Sequence, residues 1–178
     1  AIGRIYKRQG LYPRAIEAFR KSLAIMEFQP GIVETVGDCY RETHDYEWAI
    51  SFYQRALQMG WENADLFFSM GNVNYLNKDF TEASAWYVRA LRLDSTNAEI
   101  YYNFGNALMM QKKIQEAVVV YAQAVKIDAG QPDYFNNLAL SYRELGRRAE
   151  ARKVFEAGLA LHPQSRLLAE NYRSLLKQ

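Results

Sequence analysis

The chain of 178 residues is poor in the residue types that carry most dedicated chemistry. Its one cysteine, Cys39, excludes an intrachain disulfide, and two distant histidines, His44 and His162, make no metal-ligand spacing, so no metal or other cofactor is expected. No glycine-rich phosphate loop is present. No apolar run approaches the ~18 residues of a membrane span, and the N-terminus lacks a signal-peptide pattern. A soluble chain of unassigned compartment, with no membrane insertion, is expected. The net charge of +2 is too small to call for nucleic acid.

What the chain has is periodicity. At an offset of 34 residues, Ala15, Ala49, Ala83, Ala117 and Ala151 align without a gap, as do Gly3, Gly37, Gly71, Gly105 and Ala139. The aromatics Phe19, Tyr53, Tyr87, Tyr121 and Phe155 form a third column, and Ser22, Ala56, Ala90, Ala124 and Gly158 a fourth. Small residues at fixed places let two helices cross closely, and aromatics beside them fill the gap. Asn63 and Asn97, each followed by Ala and an acid, and Pro132 followed by Asp133, mark helix starts. Gly10, His44, Lys78, Lys112 and Gly146 mark the turns inside the hairpins.

These columns resemble the tetratricopeptide repeat family, whose unit is a 34-residue pair of antiparallel helices. The resemblance implies an all-α fold: a right-handed α-α superhelix of about five helical hairpins plus a C-terminal capping helix. The whole chain, 1–178, reads as a single array with a partial repeat at 1–29, full repeats at 30–63, 64–97, 98–131 and 132–165, and the capping helix at 166–178. There Leu168, Tyr172, Leu175 and Leu176 close an apolar face while Glu170, Arg173 and Lys177 meet water, which reads as a natural C-terminus. The uncapped start, with Ile2 and Ile5, predicts that more chain precedes Ala1. The family commonly closes its unit with proline; the matching residues here are Glu27, Trp61, Ser95, Ala129 and only then Pro163. Arg148 and Arg152 replace apolar residues, which makes the last full hairpin more polar.

In the family the first helices line a concave groove, so the resemblance places Phe68, Asn72, Tyr75, Tyr102, Asn103, Asn106, Met109 and Asn137 there as peptide-binding residues. Asn103, Asn137 and Asn171 fall 34 apart and continue a column begun by Thr35 and Ser69; Asn72 and Asn106 make a shorter row. An amide offers both donor and acceptor to a peptide main chain. With first helices roughly 10 Å apart and an extended chain advancing about 3.3 Å per residue, a ligand of about ten residues spans Phe68 to Asn137. The asparagine column is similar to the superhelical arm of O-linked N-acetylglucosamine transferases, from which peptide guidance carries over and glycosyl transfer does not. Solvated amides, or amides bridging neighbouring helices, are the alternative.

The basic residues with which chaperone-binding tetratricopeptide domains hold a carboxylate are replaced here by Phe68, Asp133 and Asn137. With Glu34, Asp38 and Glu42 making the groove acidic, the expected partner is a protein or peptide presenting a neutral or basic extended segment. No catalytic set is present, so a non-catalytic protein–protein interaction module is expected. The alternatives are a structural scaffold that self-associates through the convex face or the N-terminal edge, and the substrate-targeting arm of a larger enzyme. Cys39 stands in the small-residue column Ile5, Cys39, Val73, Ala107 and Ser141, which makes it a packed thiol and not a nucleophile. Trp48, in an otherwise polar column, reads as exposed on the convex side, with a second interface there and local packing against the next hairpin as the two explanations.

Overall fold

A computed structural model describes residues 2–177. It contains eleven α-helices and, among the described residues, no strand: α1 (Ile2–Arg8), α2 (Tyr12–Ile25), α3 (Pro30–Glu42), α4 (Tyr46–Gln58), α5 (Ala64–Leu76), α6 (Phe80–Leu93), α7 (Ala98–Met110), α8 (Ile114–Ile127), α9 (Pro132–Glu144), α10 (Arg148–Leu161) and α11 (Arg166–Leu176). Successive helices pair as hairpins, and the chain divides into two compact units, one up to Leu93 and one from Asp94 onward. None of these helices is long and apolar enough to cross a membrane.

The helix boundaries follow from local chemistry. Asn63 Oδ1 accepts from the Leu66 N–H at 2.8 Å, and Asn97 Oδ1 accepts from the Glu99 and Ile100 N–H groups at 3.0 and 3.4 Å, satisfying amides that the first turn leaves unpaired. Gln29 and Gln131 make no such bond. The helices that follow them open on Pro30 and Pro132, whose missing N–H removes the need for one partner.

Each first helix ends the same way. Gly10, His44, Lys78, Lys112 and Gly146 have φ of 71, 64, 66, 62 and 75°. The next N–H reaches back five residues, as Asp45 to Tyr40 O, Asp79 to Asn74 O and Lys113 to Leu108 O, each at 2.9 Å. This pattern, with the left-handed residue donating three back, reverses the chain within two residues and satisfies the last carbonyls.

Inside the hairpins Ala15, Ala49, Ala83, Ala117 and Ala151 are fully buried, and Phe19, Tyr53, Tyr87, Tyr121 and Phe155 almost so. The reason for glycine at 71 and 105 is steric: a Cβ at either position would lie 2.4 Å from the ring of Tyr87 or Tyr121. The ring lies on bare helix backbone, which brings the two helices together.

Two expectations change in detail. Trp48 is 60% exposed and stacks on Tyr40 of its own hairpin at 6.0 Å, because Tyr40 sits across the turn from it. Arg148 is more than a polar substitute: its Nη2 donates to the Leu175 carbonyl at 2.7 Å and so binds an end of α11 that helix geometry leaves open.

Candidate functional site

All eight residues singled out for the groove are half-buried on first helices. In the unit up to Leu93, Phe68, Asn72 and Tyr75 lie on α5. Phe68 tilts against Tyr87 (6.0 Å) and Tyr75 sits edge-on to Phe80 (5.3 Å). Asn72 Oδ1 accepts from the Tyr87 hydroxyl at 2.8 Å.

In the unit from Asp94 onward, Tyr102, Asn103, Asn106 and Met109 lie on α7 and Asn137 on α9. Here the side chains meet. Tyr121 Oη donates to Asn106 Oδ1 at 2.7 Å, and Asn137 Nδ2 donates to the same oxygen at 3.0 Å and to Tyr102 Oη at 3.2 Å. Asn171 Nδ2 donates to Asn136 Oδ1 at 2.6 Å, and Asn136 Nδ2 to Asn137 Oδ1 at 3.1 Å. Ser141 Oγ donates to Met109 Sδ at 3.4 Å. The amides form a directional chain running from α11 through α9 to α7. Both lone pairs of Asn106 Oδ1 are thereby engaged, and its Nδ2 makes no hydrogen bond among the described residues.

The Asn137–Asn106 and Asn171–Asn136 bonds are the bridges between neighbouring helices that stood as the alternative to ligand contact, and to them the structure adds a tyrosine partner not expected from the sequence. Tyr53, Tyr87 and Tyr121 each donate to the residue fifteen places earlier: Asp38 (2.9 Å), Asn72 and Asn106. Where the second helix carries Phe19 or Phe155 instead, the matching first-helix residue is Arg4 or Leu140. That covariation between columns was visible in the chain and is the signal that could have found the pairing.

The acids around α3 are offset from within. Lys7 Nζ lies 2.6 Å from Asp38 Oδ2, Arg41 is 2.8 Å from Glu42, and Trp61 Nε1 donates to Glu34 Oε2 at 2.7 Å. Burial raises the Glu34 carboxyl above its ordinary range, partly opposed by the Trp61 bond. Burial likewise pushes the Cys39 thiol up to about 11, keeping it protonated and unreactive at neutral pH. Among the described residues no group of three or more His, Cys, Asp or Glu is arranged to hold a metal ion.

Tandem helical hairpins whose first helices present half-buried aromatic, amide and thioether rows define an α-helical repeat protein of the interaction-scaffold class. The repeat models agree: a TPR repeat model matches residues 75–112 and 105–146, and tetratricopeptide repeat models match 132–165 and 1–30. The chain belongs to the tetratricopeptide repeat family, a fold that is generally a non-catalytic scaffold for protein–protein interaction. Comparison with curated proteins gives no match. Among solved structures it is similar to YrrB, described as a TPR protein with an unusual peptide-binding site (23% identity, 96% of this chain and 88% of that one, TM-score 0.83). It is also similar to MamA (22%, 92% and 96%, 0.87) and to MamA from Desulfovibrio magneticus RS-1 (16%, 93% and 93%, 0.86).

Proposed function

We propose that the α7–α9 surface binds an extended, neutral or basic segment of a partner protein, with Asn106 donating to main-chain carbonyls and Tyr102 and Met109 receiving apolar side chains. Phe68 and Tyr75 offer half-buried aromatic surface of the same kind on α5. One observation carries the reading. Asn106 is held rigidly by two donors at its oxygen, which leaves its two amide N–H groups as the outward hydrogen-bonding function. A preorganised donor on a half-buried surface recognises main chain without losing rotamer freedom on binding. A basic residue in the segment would be matched by Glu99 and Asp133, the acids in the first turns of α7 and α9. The peptide-binding site described for YrrB lends the reading the support of fold analogy alone.

The test uses ten-residue peptides selected from a displayed random library and titrated by fluorescence anisotropy. Asn106→Asp keeps an acceptor for Tyr121 and Asn137 but removes both N–H donors, as Asp38 does naturally opposite Tyr53. Affinity should fall about tenfold or more with little change in melting temperature. Unchanged affinity for every selected peptide defeats the proposal.

A further inference from the structure

The third residue of α3, α5, α7, α9 and α11 recurs every 34 residues as Ile32, Leu66, Ile100, Tyr134 and Leu168. Leu66, Ile100 and Leu168 are fully buried aliphatic side chains that need no partner, and Tyr134 alone brings a polar group to the column. Tyr134 is 8% exposed, packs with Ala98 and Ala124, and tilts against Tyr102 with ring centroids 4.8 Å apart. Its hydroxyl makes no hydrogen bond among the described residues, and no buried side-chain oxygen there lacks a partner. The Tyr134 oxygen therefore opens onto the surface at the end of an enclosed ring. An aliphatic residue fills this space elsewhere; what tyrosine adds is a hydrogen-bonding group at the surface.

The charge around that oxygen is negative. Burial holds the Tyr134 phenol above its ordinary range, and Glu99, Asp128 and Asp133 push it further the same way, so all three carboxylates lie within electrostatic reach of the hydroxyl. Glu99 and Asp133 stand exposed in the first turns of α7 and α9, and Asp128 caps the end of α8. Among the described residues none of the three forms an ion pair. A first-turn acid suits its helix dipole, and Asp128 Oδ1 accepts from the Gly130 N–H at 2.7 Å. Neither role accounts for a tyrosine in an aliphatic column or for three acids left without a cation.

We infer that Tyr134, Glu99 and Asp133 form a subsite for one arginine side chain of the extended segment described above, an inference that rests on that reading. The charges turn away an anionic group, and the phenol oxygen adds an acceptor that a cation's N–H can use. A guanidinium is planar and weakly hydrated, and its five N–H donors reach several acceptors at once; an ammonium is compact and more strongly hydrated. Tyr102 lies against Tyr134 and its hydroxyl accepts from Asn137 Nδ2 at 3.2 Å, so the arginine stem has a ring fixed in place to lie on. The segment thus gains a residue preference at one point, which main-chain contacts to Asn106 do not supply.

Ten-residue peptides selected on the whole chain from a displayed random library, titrated by fluorescence anisotropy, test the subsite. The selected peptides should share an arginine at one position. Replacing it by citrulline, which keeps the shape and loses the charge, should weaken binding about tenfold or more, and lysine should recover only part of that loss. Tyr134→Phe keeps the ring and removes the acceptor, and the pair Glu99→Gln with Asp133→Asn keeps shape and removes charge. Each should shrink the arginine-to-citrulline ratio at unchanged helical circular dichroism, and the three changes together should bring it to within about twofold of unity. Peptides that Asn106→Asp weakens but that share no arginine, or that tolerate citrulline, overturn the subsite and leave the main-chain reading standing. So does an arginine preference that survives all three changes. If no peptide is selected, or if Asn106→Asp affects none of them, the main-chain reading falls and the subsite with it.

Discussion

The phenolic oxygen of Tyr87 decides what can stand at position 72. A hydroxyl carried on a ring that lies on glycine backbone is buried with the ring, and it needs an acceptor on the facing helix. Asn72 provides it at 2.8 Å. Tyr87→Phe should therefore cost about 1 kcal/mol, and Tyr87→Phe with Asn72→Leu should recover part of that loss, since the final hairpin already uses Phe155 with Leu140. Urea denaturation of both single variants and the double gives the coupling energy; strictly additive losses would show that the bond is incidental. The 34-residue period made the glycine, alanine and aromatic columns legible, because packing repeats in every hairpin. A single column did not show the role of Asn72 and Asn106, because that role depends on a hydroxyl in a second column and shows only when the two are read together. Function and fold then compete for one amide: its oxygen serves the hairpin, and what Asn106 can offer a ligand is its nitrogen.

Among the elements, the turns were the most transparent part of the chain. Five residues 34 apart occupy the left-handed region, and only two of them, Gly10 and Gly146, are glycine. His44, Lys78 and Lys112 hold a conformation in which their Cβ crowds the backbone, at about 1 kcal/mol each relative to glycine. Lys112→Gly should accordingly stabilise the protein by about 1 kcal/mol, and Gly146→Lys should destabilise it by a similar amount. Thermal unfolding of the two variants checks both signs at once. The linkers were less legible. Proline at their close is nearly absent, and other devices stand in: Asp94 and Asp128 Oδ1 accept from the N–H two residues on, the left-handed Gly60 aims Trp61 at Glu34, and Gln29 Nε2 donates to the Met26 carbonyl. Only the Asp94 and Asp128 turns keep the 34-residue period; the other two devices occur once each and leave no period to detect.

At the scale of the whole molecule, a helical repeat is stabilised by its neighbours in sequence, which confines the effect of damage. Helix α11 shows how. Leu168 and Leu175 are buried with Phe135, Ala139, Ala151 and Phe155, while Arg148 donates to the Leu175 carbonyl and Tyr172 to Glu156 at 2.6 Å. Ending the chain before Arg166 removes two buried leucines and leaves Arg148 without its acceptor. Removing a buried leucine costs about 2–5 kcal/mol, so amide protection in α9 and α10 should fall by on the order of a hundredfold or more. Among the described residues, the core around Ala15, Tyr53 and Val73 includes none beyond Trp86. Amides of α3 and α4 should therefore keep their exchange rates. Hydrogen exchange read by mass spectrometry separates the two outcomes. Equal loss of protection in α3 and α9 would mean that the repeats unfold as one cooperative body and that nearest-neighbour coupling is the wrong description. Protection lost from α9 and α10 alone would show that the capping helix stabilises the hairpin carrying Asn137, and with it the amide chain that fixes Asn106.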